Sequence, residues 1–156
     1  MWKETSAATH GAERELVITR IFDAPRNLVF KAWTEAEHLA RWWGPEGFIT
    51  VSCRIDVRPG GTWFRRMRAP DGTEHCKRGV YREIVEPKRL VFTYFSEDVD
   101  GNPGHETLVT VTFAEFGGRT KLTLRQAFFE SAAARDAHQG GWTSCLKRFA
   151  DYLARA

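Results

Sequence analysis

The sequence predicts a single α+β domain in which seven antiparallel strands curve around one long C-terminal helix. Strand-like runs rich in β-branched and aromatic residues follow one another over residues 48–128, with short Gly- and Pro-containing turns between them. Turns this short favour antiparallel neighbours, because a parallel connection needs a crossover of about a dozen residues or more. A helical repeat of apolar residues then ends the chain, whose 156 residues suit one domain with a sizeable core.

The chain begins with residues 1–13, which we expect to be a flexible tail because small and polar residues offer little to bury. The folded domain is predicted over residues 14–156. Its first strand is residues 15–22, ELVITRIF, which is rich in β-branched side chains. Pro25 then stands where a helix start tolerates proline. The apolar stripe of this first helix consists of Val29, Phe30 and Trp33.

A second short helix is predicted directly after the first. Thr34 and Glu37 have the spacing of a capping box, in which the threonine covers a free backbone N–H and the glutamate reaches back. Gly44 and Pro45 end this helix, since glycine suits the position beyond the last turn and proline cannot continue it. The predicted order before the main sheet is therefore strand, helix, helix.

The remaining strands follow from β-type runs and the turn residues between them. We predict strands over residues 49–56, 62–68, 74–85, 89–96, 105–115 and 120–128. The turns between them contain Pro59-Gly60-Gly61, Pro70-Asp71-Gly72, Glu86-Pro87-Lys88, Asp100-Gly101-Asn102-Pro103 and Gly117-Gly118. The complete order is β-α-α-β6-α, without an internal repeat or a linker to a second domain.

The last helix is predicted over residues 131–155 and has one apolar face. That face consists of Trp142, Leu146, Phe149 and Leu153. Gly140 and Gly141 lie inside the helix and each costs about 1 kcal/mol against alanine. Two interpretations remain open: the helix breaks or begins at these glycines, or they leave room for a close approach or a ligand.

Composition and charge argue against several function classes. The chain has 23 basic and 20 acidic residues, a net charge of +3, and no Lys/Arg block that would indicate a nucleic-acid surface. No apolar run approaches the roughly 18 residues needed to span a bilayer, so no membrane insertion is expected. The three cysteines are far apart, which predicts a reduced, cytoplasmic protein. No cofactor or metal is predicted, because the adjacent His75 and Cys76 point to opposite faces of a strand.

An ordered set of short motifs spans about residues 15–154. The set consists of Ala24-Pro25, Val29-Phe30, Trp33, LARWWG at 39–44, DVRPGG at 56–61, Pro70-Asp71-Gly72, Gly79-Val80-Tyr81, PKRLVF at 87–92 and Gly141-Trp142. With these motifs the chain resembles the START-like (SRPBCC, helix-grip) superfamily, and within it the homologues of the activator of heat shock protein 90 ATPase. The resemblance implies the helix-grip fold. It implies no single activity, because the superfamily hosts lipid carriers, hormone receptors, aromatase/cyclases and co-chaperone domains without a shared catalytic constellation.

The hairpin at residues 70–72 raises the main question about function. A register that places Arg65 opposite Lys77 also places Met67 opposite His75, and all of these side chains then share one face. The large side chains expected on the inward face, by size and by the family pattern, are Trp63, Met67 and Tyr81. Charges at Arg65 and Lys77 depart from that pattern and would need a carboxylate, a phosphate or solvent. A register slip of one residue would instead turn them all outward.

The predicted ligand site is a mostly apolar cavity between the sheet and the last helix. Its candidate residues are Trp42, Trp43, Trp63, Arg65, Met67, His75, Lys77, Tyr81, Phe92, Tyr94, Val109, Val111, Trp142 and Cys145, with Leu122 and Leu124 completing the wall. We expect Trp42 and Trp43 to divide, one packing in the core and the other capping the opening; the alternative is that both pack in the core. Arg65 and Lys77 are expected to engage an acidic group of the ligand.

Three hypotheses for the function follow. The first is binding, in this cavity, of a small hydrophobic or amphipathic molecule with or without an anionic group. The second is a co-chaperone-like module that docks on a chaperone or another protein through a basic outer sheet face. The residues of that face would be Arg66, Arg68, Arg78 and Arg82. The third is a cyclase/dehydratase-type enzyme, and the sequence leaves open whether the chain is a monomer or a homodimer.

The third hypothesis depends on an acid–base pair inside the cavity. The candidates for it are Arg65, His75 and Tyr81. His138 and Cys145 share one face of the last helix, but two helical turns separate them by about 10 Å. That distance excludes direct proton transfer between the thiol and the imidazole.

Overall fold

The computed structural model describes residues 14–155. The predicted tail, residues 1–13, lies outside the described residues, as does residue 156. None of the described helices is long and apolar enough to cross a membrane.

The predicted α+β helix-grip architecture is confirmed. The elements in chain order are β1 (Leu16–Phe22), α1 (Arg26–Thr34), α2 (Ala36–Trp42), β2 (Ile49–Ile55), β3 (Thr62–Arg68), β4 (Glu74–Val85), β5 (Arg89–Glu97), β6 (Thr107–Phe116), β7 (Arg119–Ala127) and α3 (Ala132–Arg155). All neighbouring strands are antiparallel and form one seven-stranded sheet in the order β1-β7-β6-β5-β4-β3-β2. Consecutive strands from β2 to β7 are neighbours, as their short turns require, and β1 joins the far edge beside β7.

The boundary between α1 and α2 differs from the predicted capping box. Thr34 is the last residue of α1, and its hydroxyl donates to the Phe30 carbonyl at 3.0 Å. Glu35 is the N-cap of α2, and no side-chain bond caps this helix. The capping-box prediction is therefore wrong, because the hydroxyl is satisfied by the preceding turn of its own helix. The predicted end of α2 is correct: the helix stops at Trp42, and Gly44 follows at φ +96°.

The β3–β4 hairpin adopts the first of the two registers that the sequence leaves open. Arg65 pairs with Lys77 and Met67 with His75, so these side chains point to the side of the sheet that faces α3. The alternation along β3 is clear, since Arg65 and Met67 are buried while Arg66 and Arg68 are exposed. The alternative of an outward-facing set is thereby excluded.

The helix α3 runs without a break through Gly140 and Gly141, which excludes the first interpretation of these glycines. It packs across the sheet through Trp142, Leu146 and Phe149, all of which are buried. The core between α3, α1 and the sheet is rich in aromatic side chains. Neighbouring rings form a continuous cluster in which the centroids of contacting pairs lie 4.3–6.3 Å apart. Its members are Phe22, Trp33, Trp42, Trp43, Trp63, Phe92, Tyr94, Phe113, Trp142 and Phe149.

Candidate functional site

A cavity of about 240 Å³ lies between the sheet and α3, beside the loop that follows α2. Strands β3, β4 and β5 supply one wall and the middle of α3 supplies the other. The lining residues are Trp43, Gly44, Pro45, Phe48, Met67, His75, Lys77, Tyr94, Ala137, His138, Gly141, Trp142 and Cys145. The cavity reaches the surface where His75 and Ala137 are exposed. At this edge the His75 ring packs against Phe48, with their centroids 5.6 Å apart.

The loop over residues 43–48 forms the third wall and is held to α3 by side chains. Ser144 Oγ and Cys145 Sγ each accept a backbone N–H of the loop, at 2.9 and 3.3 Å. Arg148 Nη1 lies 2.9–3.4 Å from four carbonyl oxygens of the loop. Burial raises the pKa of the Cys145 thiol to about 12, so this sulfur remains a neutral thiol at physiological pH. The hydrogen bonds of the loop to Ser144, Cys145 and Arg148 hold it in place as a wall of the cavity.

The indole of Trp142 is fixed by a buried chain of hydrogen bonds. Its Nε1–H donates to Gln126 Oε1 at 2.8 Å, and Gln126 Nε2 donates to Thr107 Oγ1 at 2.8 Å. The Thr107 hydroxyl in turn donates to the Tyr94 carbonyl at 2.9 Å. Each of these side-chain polar groups has a hydrogen-bond partner, so the three linked bonds orient the Trp142 wall of the cavity at low energetic cost.

Lys77 and His138 are the partly buried basic groups of the cavity, and the second histidine of the lining, His75, lies at the exposed edge. Lys77 Nζ donates to Ser96 Oγ at 2.7 Å, and burial lowers the pKa of Lys77. The pKa of His138 is also lowered, first by burial and then by the nearby charge of Lys77. The His138 Nδ1 lies 2.9 Å from the Ala134 carbonyl oxygen, so Nδ1 carries a proton and donates it. Among the described residues that line the cavity, none is a carboxylate.

A second, smaller cavity of about 20 Å³ lies deeper, between the sheet and the two short helices. Its lining residues are Trp33, Leu39, Trp43, Ile55, Trp63, Arg65, Tyr81, Leu90 and Phe92. Trp43 lines both spaces, and the Arg65 guanidinium carbon lies 4.1 Å from the centroid of the Trp43 ring. We call this space the inner cavity and the larger one the outer cavity.

The predicted site residues divide among the two cavities and the core. Those that line the outer cavity are Trp43, Met67, His75, Lys77, Tyr94, Trp142 and Cys145. Those that line the inner cavity are Trp43, Trp63, Arg65, Tyr81 and Phe92. Those that contact neither and pack in the core are Trp42, Val109, Val111, Leu122 and Leu124.

The expected division of Trp42 and Trp43 between core and opening is wrong, because both indoles are buried. Trp42 is the last residue of α2, and its Nε1–H donates to the Ala32 carbonyl at 3.1 Å. Trp43 has extended backbone angles, which turn its ring into the wall between the two cavities. The proposed acid–base set is also divided, because His75 lines the outer cavity while Arg65 and Tyr81 line the inner one.

Sequence reasoning missed several lining residues. These are Gly44, Pro45, Phe48, Ala137, His138 and Gly141. For Gly141 the sequence carried a signal, since a glycine inside the helix was one that could leave room for a ligand; an ideal Cβ there has only Pro45 Cγ as a neighbour, at 4.0 Å. His138 shares its helix face with Cys145, and both line the outer cavity without acting as a pair.

The outer face of β3 and β4 is basic. Arg66, Arg68, Arg78 and Arg82 are all exposed there. Three of them form ion pairs: Arg66 and Arg68 lie 3.8 and 2.9 Å from Glu74, and Arg78 lies 3.0 Å from Glu97. Arg66 and Arg78 also lie over the outward-facing ring of Phe64, at 5.9 and 4.7 Å.

Comparison with known proteins decides the family. Residues 23–154 match the family described as Activator of Hsp90 ATPase homolog 1-like protein. The chain belongs to this family. Membership agrees with the helix-grip fold and with the START-like superfamily to which the sequence motifs pointed. No curated protein matches the sequence.

Solved structures of bacterial proteins share the fold of this family member. The AHSA1 protein from Silicibacter pomeroyi is 29% identical, with a TM-score of 0.80 over 90% of this chain and 97% of that one. A protein from Chromobacterium violaceum is 29% identical, with a TM-score of 0.76 over 88% and 95% of the two chains. A protein from Rhizobium leguminosarum is 28% identical, with a TM-score of 0.80 over 91% and 95%.

Proposed function

We propose that this family member binds a small acidic molecule with an apolar body in the outer cavity. The observation that carries the proposal is a mostly apolar cavity whose described lining contains Lys77 and no carboxylate. Such a combination favours a ligand that buries a ring or short chain and presents one anionic group.

The size of the cavity restricts the class of ligand. Its volume of about 240 Å³ is below the range of about 300–1,000 Å³ that is typical of ligand cavities. A single aromatic ring or a short aliphatic chain suits this space better than a long-chain lipid. The rings of Trp43, Phe48, Tyr94 and Trp142 would contact the apolar body.

Lys77 would supply the contact to the acidic group. Its bond to Ser96 uses one of three ammonium donors, so two remain for a carboxylate or phosphate. The outer cavity also holds His75 at its exposed edge, where the side chain would meet the same acidic group. The joint role predicted for Arg65 and Lys77 is thus proposed for Lys77 alone, because Arg65 lines the inner cavity.

The test compares an acid with its neutral analogue. Calorimetric titration with 3-phenylpropionate and with 3-phenyl-1-propanol should show weaker binding of the alcohol to the wild type. Lys77→Met should weaken binding of the acid about ten- to hundredfold, which corresponds to roughly 1.5–3 kcal/mol for a hydrogen bond to a charged group. Binding of the alcohol should stay unchanged. Lys121→Met, at an exposed position on β7, is the matched control. Equal loss of the acid and the alcohol in Lys77→Met would contradict the proposal.

The basic outer face favours a second candidate function, that of a co-chaperone-like module. Four exposed arginines on one sheet face match the expectation for such a surface, although their pairing with Glu74 and Glu97 offsets part of the charge. The name of the family points to the ATPase of Hsp90 as the partner.

This second function is tested by ATP hydrolysis of an Hsp90-type chaperone in the presence of the chain. Acceleration that is lost in the double variant Arg66→Glu/Arg78→Glu and kept in Arg119→Glu would support it. Arg119 is a suitable control because it is exposed at the distant start of β7. A hydrolysis rate that does not respond to the wild-type chain would contradict it.

A further inference from the structure

Arg65 is a buried cation whose two terminal nitrogens have no hydrogen-bond acceptor among the described residues. Its side chain is fully buried, and neither Nη1 nor Nη2 has a partner among residues 14–155. Burial lowers the pKa of Arg65 to about 10, so the guanidinium is still charged at neutral pH. An uncompensated buried charge costs several kcal/mol, and such charges are normally paired.

Among residues 14–155, the titratable groups that interact with Arg65 include no carboxylate. The titratable groups close enough to interact with it are Cys53, Tyr81, Tyr94 and Cys145. Burial raises the pKa values of both tyrosines and of Cys145, which keeps these three groups neutral. The ring of Trp43, 4.1 Å from the guanidinium carbon, interacts favourably with the cation but accepts none of its hydrogen bonds.

The inner cavity places a second buried donor beside this cation. Trp33 lines the same space, and its Nε1–H also has no partner among the described residues. The volume of about 20 Å³ exceeds the roughly 10–15 Å³ that one water-sized occupant requires, but it leaves no room for an organic ligand. A neutral water molecule of that size would satisfy a donor without compensating the charge.

We propose that the inner cavity binds one halide-sized monovalent anion, with chloride as the physiological candidate, between the Arg65 guanidinium and the Trp33 N–H. The remaining walls are apolar or aromatic side chains, which exclude a larger hydrated anion. This inference goes beyond the proposed function, because the site lies behind Trp43 and does not depend on a ligand in the outer cavity.

The test measures the stability of the full chain against halide concentration, with ionic strength held constant by sodium gluconate and without organic ligand. For one bound anion, the unfolding equilibrium constant should fall about tenfold for each tenfold rise in chloride above the dissociation constant. Bromide should act like chloride. Arg65→Met should lose this dependence, and Arg68→Met, an exposed arginine on the same strand, should keep it.

The second measurement keeps the inference falsifiable if Arg65→Met does not fold. Crystals of the wild-type chain soaked in bromide should show an anomalous peak in contact with the Arg65 guanidinium. Equal stabilisation by chloride and gluconate, or a bromide-soaked crystal without that peak, would overturn the inference. Loss of the chloride dependence on addition of 3-phenylpropionate would also overturn it, because the ligand's carboxylate would then occupy Arg65. None of these results depends on whether Lys77 binds an acid.

Discussion

The two glycines of α3 offer a direct comparison between a position that lines the outer cavity and one that does not. Gly140 is exposed, and an ideal Cβ there meets nothing within 4 Å, whereas at Gly141 the nearest atom is Pro45 Cγ at 4.0 Å. Alanine therefore fits both positions without displacing a neighbour. Each replacement should raise the free energy of unfolding by about 1 kcal/mol, the difference in helix propensity between glycine and alanine. For a domain of this size that corresponds to roughly 2–4 °C in Tm.

Larger side chains separate the two positions. Gly140→Leu adds its side chain to the solvent-facing side of α3, while Gly141→Leu extends it into the outer cavity. A cavity that holds both the ligand and the added leucine side chain is overfilled, which costs about 1–3 kcal/mol of binding free energy. Binding of 3-phenylpropionate should therefore weaken at least about tenfold in Gly141→Leu and remain unchanged in Gly140→Leu.

The assays are urea unfolding for stability and calorimetry for affinity. Two results would contradict these expectations for α3. Destabilisation by Gly141→Ala would show that the 43–48 loop packs more closely on α3 than the distance of 4.0 Å to Pro45 Cγ implies. Unchanged affinity in Gly141→Leu would show that the ligand binds elsewhere.

Two further predictions concern α3. Burial lowers the pKa of His138 below its ordinary value of 6.5. The contribution of the neutral imidazole to the free energy of unfolding is therefore fully present above pH 6.5 and is lost as the pH falls toward the folded-state pKa. His138→Phe should flatten urea-unfolding stability between pH 5 and 7, and an unchanged slope there would contradict the assignment. Arg148→Met removes a donor from four loop carbonyls and should cost about 1–3 kcal/mol. Lys147→Met, next to it, loses one exposed ion pair to Glu46 at 3.9 Å and should change stability by less than about 1 kcal/mol in the same urea assay.

The antiparallel sheet could be predicted because local turn chemistry determines it, whereas the sequence left two registers open at the β3–β4 hairpin. A short hairpin at residues 70–72 joins two strands, and once Arg65 lies opposite Lys77 the faces of all neighbouring side chains follow from strand alternation. The sequence left open whether the predicted helix continues across Gly140 or breaks there. The propensity cost of this glycine is offset by tertiary packing of Trp142 and Phe149, which the local sequence does not report.

The site was harder to predict because it depends on how elements meet. Trp42 packs in the core and Trp43 separates the two cavities because the backbone becomes extended at Trp43, directly after α2 ends. Gln126, which orients Trp142 through its amide oxygen, lies on a strand whose sequence gives no indication of this role. The division of Arg65 and Lys77 between two cavities likewise depends on the position of the Trp43 ring, which only the assembled fold determines.

The most direct test of the central claim is a two-dimensional NMR titration of the ¹⁵N-labelled chain with 3-phenylpropionate. A ligand in the outer cavity should produce saturable shifts at the backbone amides of Lys77, His138 and Gly141 and at the Trp142 indole N–H. The hairpin at residues 117–118 should not respond. Shifts confined to the basic outer face, or no saturable shift at the lining residues, would contradict the assignment of the outer cavity as a ligand site.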